Sequence, residues 1–311
     1  MRIASIDIGT NTVLLLVADI QPDGSLEVIR DEHFIGRLGK GVDEHGIIQK
    51  ETFLRIQEIL SRLKSIANSC NVDHISACGT SALRDAQNRQ EFIDFIREKL
   101  ALDIHIITGN EEAALTYLGA VSDSPPNGES ESLAVLDIGG GSTEIVVGSG
   151  TTVVSSISTD IGSVRLTERI LKTSPPTNDA LEHAAALVQD HVRNFPPLPP
   201  KTKLIGVAGT LTTLAALDLH LPTFERNLVN RHTLPVKTID RIFQELRPLT
   251  LEQLKGYPQI HPSRADILLA GIIILREILR KLNISTITVS DRGLRYGIAR
   301  RAAQIVFNNP I

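Results

Sequence analysis

The sequence is short of cysteine, of long apolar runs and of positive charge, and each shortage removes a class of protein. Only Cys70 and Cys78 occur, with no CxxC spacing and no histidine cluster beside them. They read as small buried hydrophobes, not as metal ligands or a redox pair. The most apolar stretch, 267–275, is bounded by Arg264, Asp266 and Arg276 and falls short of a membrane span. The start, Met1-Arg2-Ile3-Ala4-Ser5, runs straight into a strand pattern without the charged and apolar regions of a signal peptide, so a cytoplasmic location is expected. A formal net charge of −4 offers no broad basic field to a nucleic-acid backbone. A polyanionic ligand would need a local positive pocket, and neither nucleic acid nor membrane is expected as a partner.

What remains is an ordinary globular composition, 42% hydrophobic and 22% charged, over 311 residues. That length suits two domains, each able to bury its own core. Strand patterns over Arg2–Ile8, Thr12–Ile20 and 26–34 predict a β-meander, followed by helical spacing over 52–68 and a strand at 74–78. Asn88 with Glu91 three residues on predicts a capped helix to Leu100, then a strand at 104–107 and a helix opening near Asn110. Residues 122–132 have almost no apolar side chain and read as an exposed connection. The pattern then restarts with strands over 133–138, 143–147 and 152–158, helices over 164–171 and 180–192, a stiff proline-rich link at 195–200 and a strand at Lys203–Val207. An apolar helix over 264–282, a strand at Thr286–Val289 and a helix over 293–307 close the chain.

Two motifs repeat. Ile6-Asp7-Ile8-Gly9 returns as Leu136-Asp137-Ile138-Gly139, and Cys78-Gly79-Thr80 as Ala208-Gly209-Thr210, both at an offset of 130 positions. Two different motifs in one order at one offset argue for duplicated halves, expected to enclose a cleft.

In each half an apolar strand ends in Asp-Ile-Gly and turns through small residues, Gly9, Thr10 and Asn11 first, then Gly139, Gly140, Gly141, Ser142 and Thr143. Such turns can present a nest of N–H groups to an anion. Gly79-Thr80-Ser81 and Gly209-Thr210 each follow a strand and open a helix, where unpaired N–H groups also suit phosphate. Taken singly, the Asp7 turn is equally a hairpin, and the Thr and Ser residues read first as helix caps. Four such elements in pairs point to a cradle for a phosphate chain.

The series Ser5-Ile6-Asp7-Ile8-Gly9-Thr10-Asn11-Thr12, Gly79-Thr80-Ser81-Ala82-Leu83-Arg84, Gly109-Asn110-Glu111-Glu112-Ala113, Asp137 to Glu144, Gly206-Val207-Ala208-Gly209-Thr210 and Ser290-Asp291-Arg292-Gly293-Leu294-Arg295 resembles the exopolyphosphatase and guanosine pentaphosphate phosphohydrolase family, in its short form. The resemblance runs in order from position 1 to about 300. It implies an α/β protein with two duplicated ribonuclease H-like domains, as in actin, sugar kinases and heat-shock ATPases. The first would hold 1–121 with about 297–311, the second 122–296. It further implies Glu112 as the base that activates water and Arg84 as a phosphate-contacting side chain. On its residues alone, Glu111-Glu112 is also the acidic first turn of a helix capped by Asn110.

Asp7, Asp137 and Glu144 are the carboxylates suited to Mg²⁺, which prefers oxygen ligands and shares substrate phosphates. Arg37, Lys40, Arg292 and Arg295 are further sources of local positive charge, each equally suited to a surface ion pair. The family often has an arginine where this chain has Ala114 and an acid where it has Tyr296. The resemblance implies release of terminal phosphate from polyphosphate or a guanosine penta- or tetraphosphate, and a possible homodimer. A kinase of the same superfamily and a non-catalytic polyphosphate or alarmone sensor are the alternatives.

Overall fold

The computed structural model describes residues 1–122 and 132–308. All but the ends of the connection read at 122–132 therefore lies outside the described residues. Residues 1–122 with 292–308 form one compact unit, and 132–291 form the other.

The first unit opens with the meander β1 (Arg2–Ile8), β2 (Thr12–Ile20) and β3 (Leu26–Ile35). There follow α1 (Val42–His45), α2 (Lys50–Ser69), β4 (His74–Gly79), α3 (Ser81–Asp85), α4 (Arg89–Leu100), β5 (Ile104–Ile106) and α5 (Gly109–Ala120). The second unit repeats the meander as β6 (Ser132–Ile138), β7 (Thr143–Ser149) and β8 (Thr152–Thr159), then α6 (Ser163–Arg169), α7 (Asn178–His191), β9 (Lys203–Val207) and α8 (Ala208–Asp218). It continues through α9 (Arg226–Val229), β10 (Thr233–Pro235), α10 (Val236–Leu246), α11 (Leu251–Lys255), α12 (Leu268–Leu282) and β11 (Thr286–Val289). The last helix, α13 (Leu294–Asn308), belongs to the first unit.

The sheets share one topology, β3-β2-β1-β4-β5 in the first unit and β8-β7-β6-β9-β11 in the second, where β10 adds an edge strand. Register repeats too. Asp7 lies opposite Leu14 and Asp137 opposite Glu144, each pair one residue before the strand's last pairing. Even the β-bulge recurs, at Val17/Ala18 and at Val147/Gly148, the same offset as the sequence motifs. The duplication is thus one of backbone geometry as well as of residues.

Alternation along β1 explains its apolar character. Ala4, Ile6 and Ile8 pack with Phe53, Ile56 and Phe92 on one face, while Ile3 joins Leu16, Ile20, Tyr296 and Ala299 on the other. With both faces covered, Ser5 and Asp7 are the only polar residues between Ile3 and Ile8. Ser5 donates from Oγ to the carbonyl of Arg295 at 2.7 Å. Asp7 is buried at the strand's carboxyl end.

α13 is already in the first unit when it begins. Leu294 packs with Cys78, Ile107 and Leu115, and Tyr296 with β1 and β2, so the change of unit falls at Arg292, ahead of the 297 read from sequence. Arg295 and Asp31 form a buried bidentate pair, at 3.0 and 2.9 Å, and Tyr296 donates its hydroxyl to the same carboxylate. Arg295 and Tyr296 are therefore packing residues. Gly119 and Gly297 let α5 and α13 meet at backbone distance, since a Cβ on either would run into the carbonyl of Gly293 or Leu115. Gly297→Ala is expected to destabilise the protein by roughly 3 kcal/mol, the upper end of overpacking costs, measured by urea unfolding.

Local corrections follow from hydrogen bonding. Asn88 stands at the α4 N-cap, but its amide bridges the N–H and C=O of Ile48 instead of capping the helix. Thr108, not Asn110, caps α5. The apolar helix starts at Leu268, after a 3-10 turn over Pro262–Arg264. Cys78 is buried, and burial pushes its thiol up to about 11.

Candidate active site

In α/β sheets the loops outside the carboxyl ends of parallel strands are where ligands bind. β1 and β4 are parallel, with Asp7 beside Cys78 and Ile8 beside Gly79, so the loops after both leave the same sheet edge. Gly9 N–H donates to Thr12 O at 2.8 Å, and Thr80 N–H to Ile8 O at 3.2 Å. Thr10, Asn11, Thr80 and Ser81 are all buried. The fold thus brings Gly9, Thr10, Asn11, Gly79, Thr80 and Ser81 to one edge of this unit's sheet.

β5 extends that edge. Ile107 N–H donates to Gly79 O, and the next residue, Thr108, opens α5. The two acids of its first turn then part company. Glu111 accepts the Thr108 N–H at 2.8 Å and completes a capping box, which holds its carboxyl below the usual range. Glu112 turns inward, 8% exposed, and accepts from Arg84 Nη1 at 2.6 Å. The same nitrogen donates to Ile107 O at 3.0 Å. Burial pushes the Glu112 carboxyl above its ordinary 4.5, and the Arg84 guanidinium draws it only part of the way back. The helix-start role therefore belongs to Glu111, leaving Glu112 a buried carboxylate that helix capping does not explain.

In the second unit Gly139 N–H donates to Ser142 O at 3.0 Å, the turn made by Gly9 and Thr12 in the first. None of the three consecutive glycines has a positive φ, so they serve close approach and not a left-handed turn. Thr143 is fully buried and donates from Oγ1 to Ile161 O at 2.6 Å. Its hydroxyl anchors the loop's base. Asp137 and Glu144 face each other across β6 and β7 and so point to the same side of the sheet. Glu144, 1% exposed, accepts from Ser158 Oγ at 2.7 Å.

At the end of β9, Ala208 takes φ 71, a left-handed conformation costly for alanine, immediately before Gly209 and Thr210. Here Gly-Thr lies inside the first turn of α8, whereas Gly79-Thr80 precedes α3. The guanidinium of Arg264 lies against Gly209 where a Cβ would stand. In the sequence Arg264 stands only at the border of an apolar stretch. Ser290 N–H donates to Gly206 O, bringing β11's carboxyl end to the same edge.

Among the described residues no group of three or more His, Cys, Asp or Glu stands together to hold a metal. Asp137 and Glu144 form a cross-strand oxygen pair that fits a hard divalent cation completed by water and phosphate oxygens. Asp7 has Leu14 across from it, not a second acid. Arg292 donates to Ser122 Oγ at 3.2 Å and lies over the Tyr296 ring, a packing position. No helix among the described residues is long and apolar enough to cross a membrane.

A family model described as the Ppx/GppA phosphatase family matches residues 16–304. The chain is 35% identical over 313 residues to Exopolyphosphatase 2 of Mycobacterium tuberculosis, covering 96% of this chain and 97% of that protein. It is 28% identical to the guanosine-5'-triphosphate,3'-diphosphate pyrophosphatase of Vibrio atlanticus, over 95% of this chain but only 58% of that longer protein. A crystal structure of the Aquifex aeolicus member of the same family superposes with a TM-score of 0.83 at 31% identity, covering 100% of this chain and 99% of the other. The shared fold is an α/β architecture of two mixed sheets with flanking helices, the strand order repeated in the two units.

Proposed function

The chain belongs to the Ppx/GppA phosphatase family, and from that premise we propose that it hydrolyses the terminal phosphoanhydride of inorganic polyphosphate or guanosine pentaphosphate, with Glu112 as the base. The observation that carries this reading is the buried Glu112 carboxylate bonded to Arg84 at a carboxyl edge of the sheet. Among the described residues Arg84 is the only charged side chain bonded to Glu112. When a phosphoryl oxygen engages the guanidinium, Glu112 is relieved of its partner and its affinity for a proton rises. It then takes a proton from the attacking water as the new P–O bond forms and the bond to the leaving phosphate chain breaks. Arg84 meanwhile neutralises charge on the transferred group.

In the first unit the turn N–H groups at Gly9–Asn11 and the helix start at Thr80–Ser81 suit phosphate oxygens, and in the second unit those at Gly139–Ser142 and Gly209–Thr210 do. Mg²⁺, held by Asp137 and Glu144 and with Asp7 as a further candidate, would neutralise oxygens of the phosphate chain when bound. Glu144→Gln is accordingly expected to raise the Mg²⁺ needed for half-maximal rate by at least about tenfold. A cytoplasmic location suits such substrates.

The test is orthophosphate release from polyphosphate and, separately, from guanosine pentaphosphate, with and without Mg²⁺ and with no acceptor present. Metal-dependent release from either supports the hydrolase and ranks its substrates. No orthophosphate release, with the phosphoryl group instead transferred to an added acceptor, would make it a kinase, and tight binding without release or transfer a sensor.

A further inference from the structure

In each unit the segment leaving the third meander strand takes up the carbonyls of the phosphate loop. In the first, Gly36 and Arg37 N–H groups donate to Asn11 O at 3.0 and 2.9 Å, and Gly39 N–H to Thr10 O at 2.8 Å. In the second, Ser163 N–H donates to Gly139 O at 2.9 Å, and those of Val164 and Arg165 to Gly140 O at 2.8 and 3.1 Å. A side chain completes this second set, because Arg165 Nε donates to Gly141 O at 2.9 Å. The approach requires glycine on the clamping side as well. A Cβ on Gly162 would lie 2.6 Å from Gly141 N and closer still to the Gly140 carbonyl.

Peptide planarity gives this clamp a consequence. In a trans peptide the C=O and the following N–H point in opposite directions. Drawing the carbonyls of Gly139, Gly140 and Gly141 toward α6 turns the N–H groups of Gly140, Gly141 and Ser142 away from it. We infer that Arg165, with Gly162 making room, is a positioning residue that holds these three N–H groups in the arrangement that binds a phosphate chain. The inference rests on the phosphohydrolase reading above. Arg165 adds a charged donor behind the Gly141 peptide, so the clamp also strengthens the nest's positive end. Both residues stand in Gly162-Ser163-Val164-Arg165, behind the loop and not on its phosphate side.

The experiment is calorimetric binding of tripolyphosphate with Mg²⁺, in a Glu112→Gln background so that ligand is not consumed. Adding Arg165→Met should weaken binding about tenfold, the worth of one charge-assisted hydrogen bond. Arg165→Lys should recover most of that loss. The ligand-free unfolding midpoint should shift by only about 2–4 °C. Equal affinity with and without Arg165→Met would overturn the inference and leave the hydrolase standing. A ligand-free midpoint lowered by more than about 10 °C would overturn it in favour of a packing role. If the Glu112→Gln protein binds no tripolyphosphate at all, the phosphohydrolase reading falls and this inference with it.

Discussion

Glu112→Gln is expected to reduce orthophosphate release by about 10²–10⁴-fold, the usual contribution of a positioned general base, while phosphate-chain binding stays nearly intact. The amide keeps the shape of the carboxylate and can still accept from Arg84, but it cannot take a proton from water. The pH profile separates this from a structural effect. Burial holds the Glu112 carboxyl above 4.5, so the parent enzyme should lose activity as pH falls through a value above the ordinary glutamate range. The Gln variant's residual rate should lack that limb. The linkage to stability has the matching sign. A carboxyl raised in the folded state favours folding most when neutral, below its unfolded value of 4.5, and that contribution is lost as pH rises through the raised value.

Arg84→Met should be nearly as damaging, costing about 10²–10³-fold in kcat/KM through lost stabilisation of the transferred phosphoryl group. It carries a second signature that a simple loss of binding would not. Arg84 is the group that draws the Glu112 carboxyl downward. Removing it should move the acid limb of the surviving activity to higher pH. Arg84→Lys should rescue little, because Nη1 now serves both Glu112 and Ile107 O from a planar fork that an ammonium on a flexible stem does not reproduce. Steady-state rates from pH 4 to 9 would read both effects; an unmoved acid limb would uncouple Arg84 from the base.

The duplication was legible because it is written twice, in residues whose spacing is dictated by one backbone geometry. Asp7 and Asp137 end equivalent strands, Gly9 and Gly139 make the same turn, and a bulge that no motif announces recurs at the same offset. The stretch between 211 and 263 was not legible from motifs at all. It holds α9, β10, α10 and α11, short elements whose burial depends on partners far along the chain, as when Arg231 donates to Val289 O and Val289 to His232 O.

At the site, residue types were readable but their division of labour was not. Glu111 and Glu112 are indistinguishable as letters. One is exposed in a capping box with Thr108 and the other buried on Arg84, a choice set by which face of α5 turns inward. Thr143 looks like a phosphate-loop hydroxyl, yet donates into the fold at Ile161. Arg264 and Gly209 are far apart in sequence and meet only through tertiary packing. The Arg165 clamp shows the same limit, since its effect passes through the backbone of a loop that precedes it.

Hydrolysis of polyphosphate in ¹⁸O-labelled water with Mg²⁺ and no acceptor tests water attack through Glu112 most directly. One labelled oxygen is expected in each orthophosphate first released, with release reduced about 10²–10⁴-fold in Glu112→Gln. Orthophosphate released without label, or at the same rate without the Glu112 carboxylate, would contradict it.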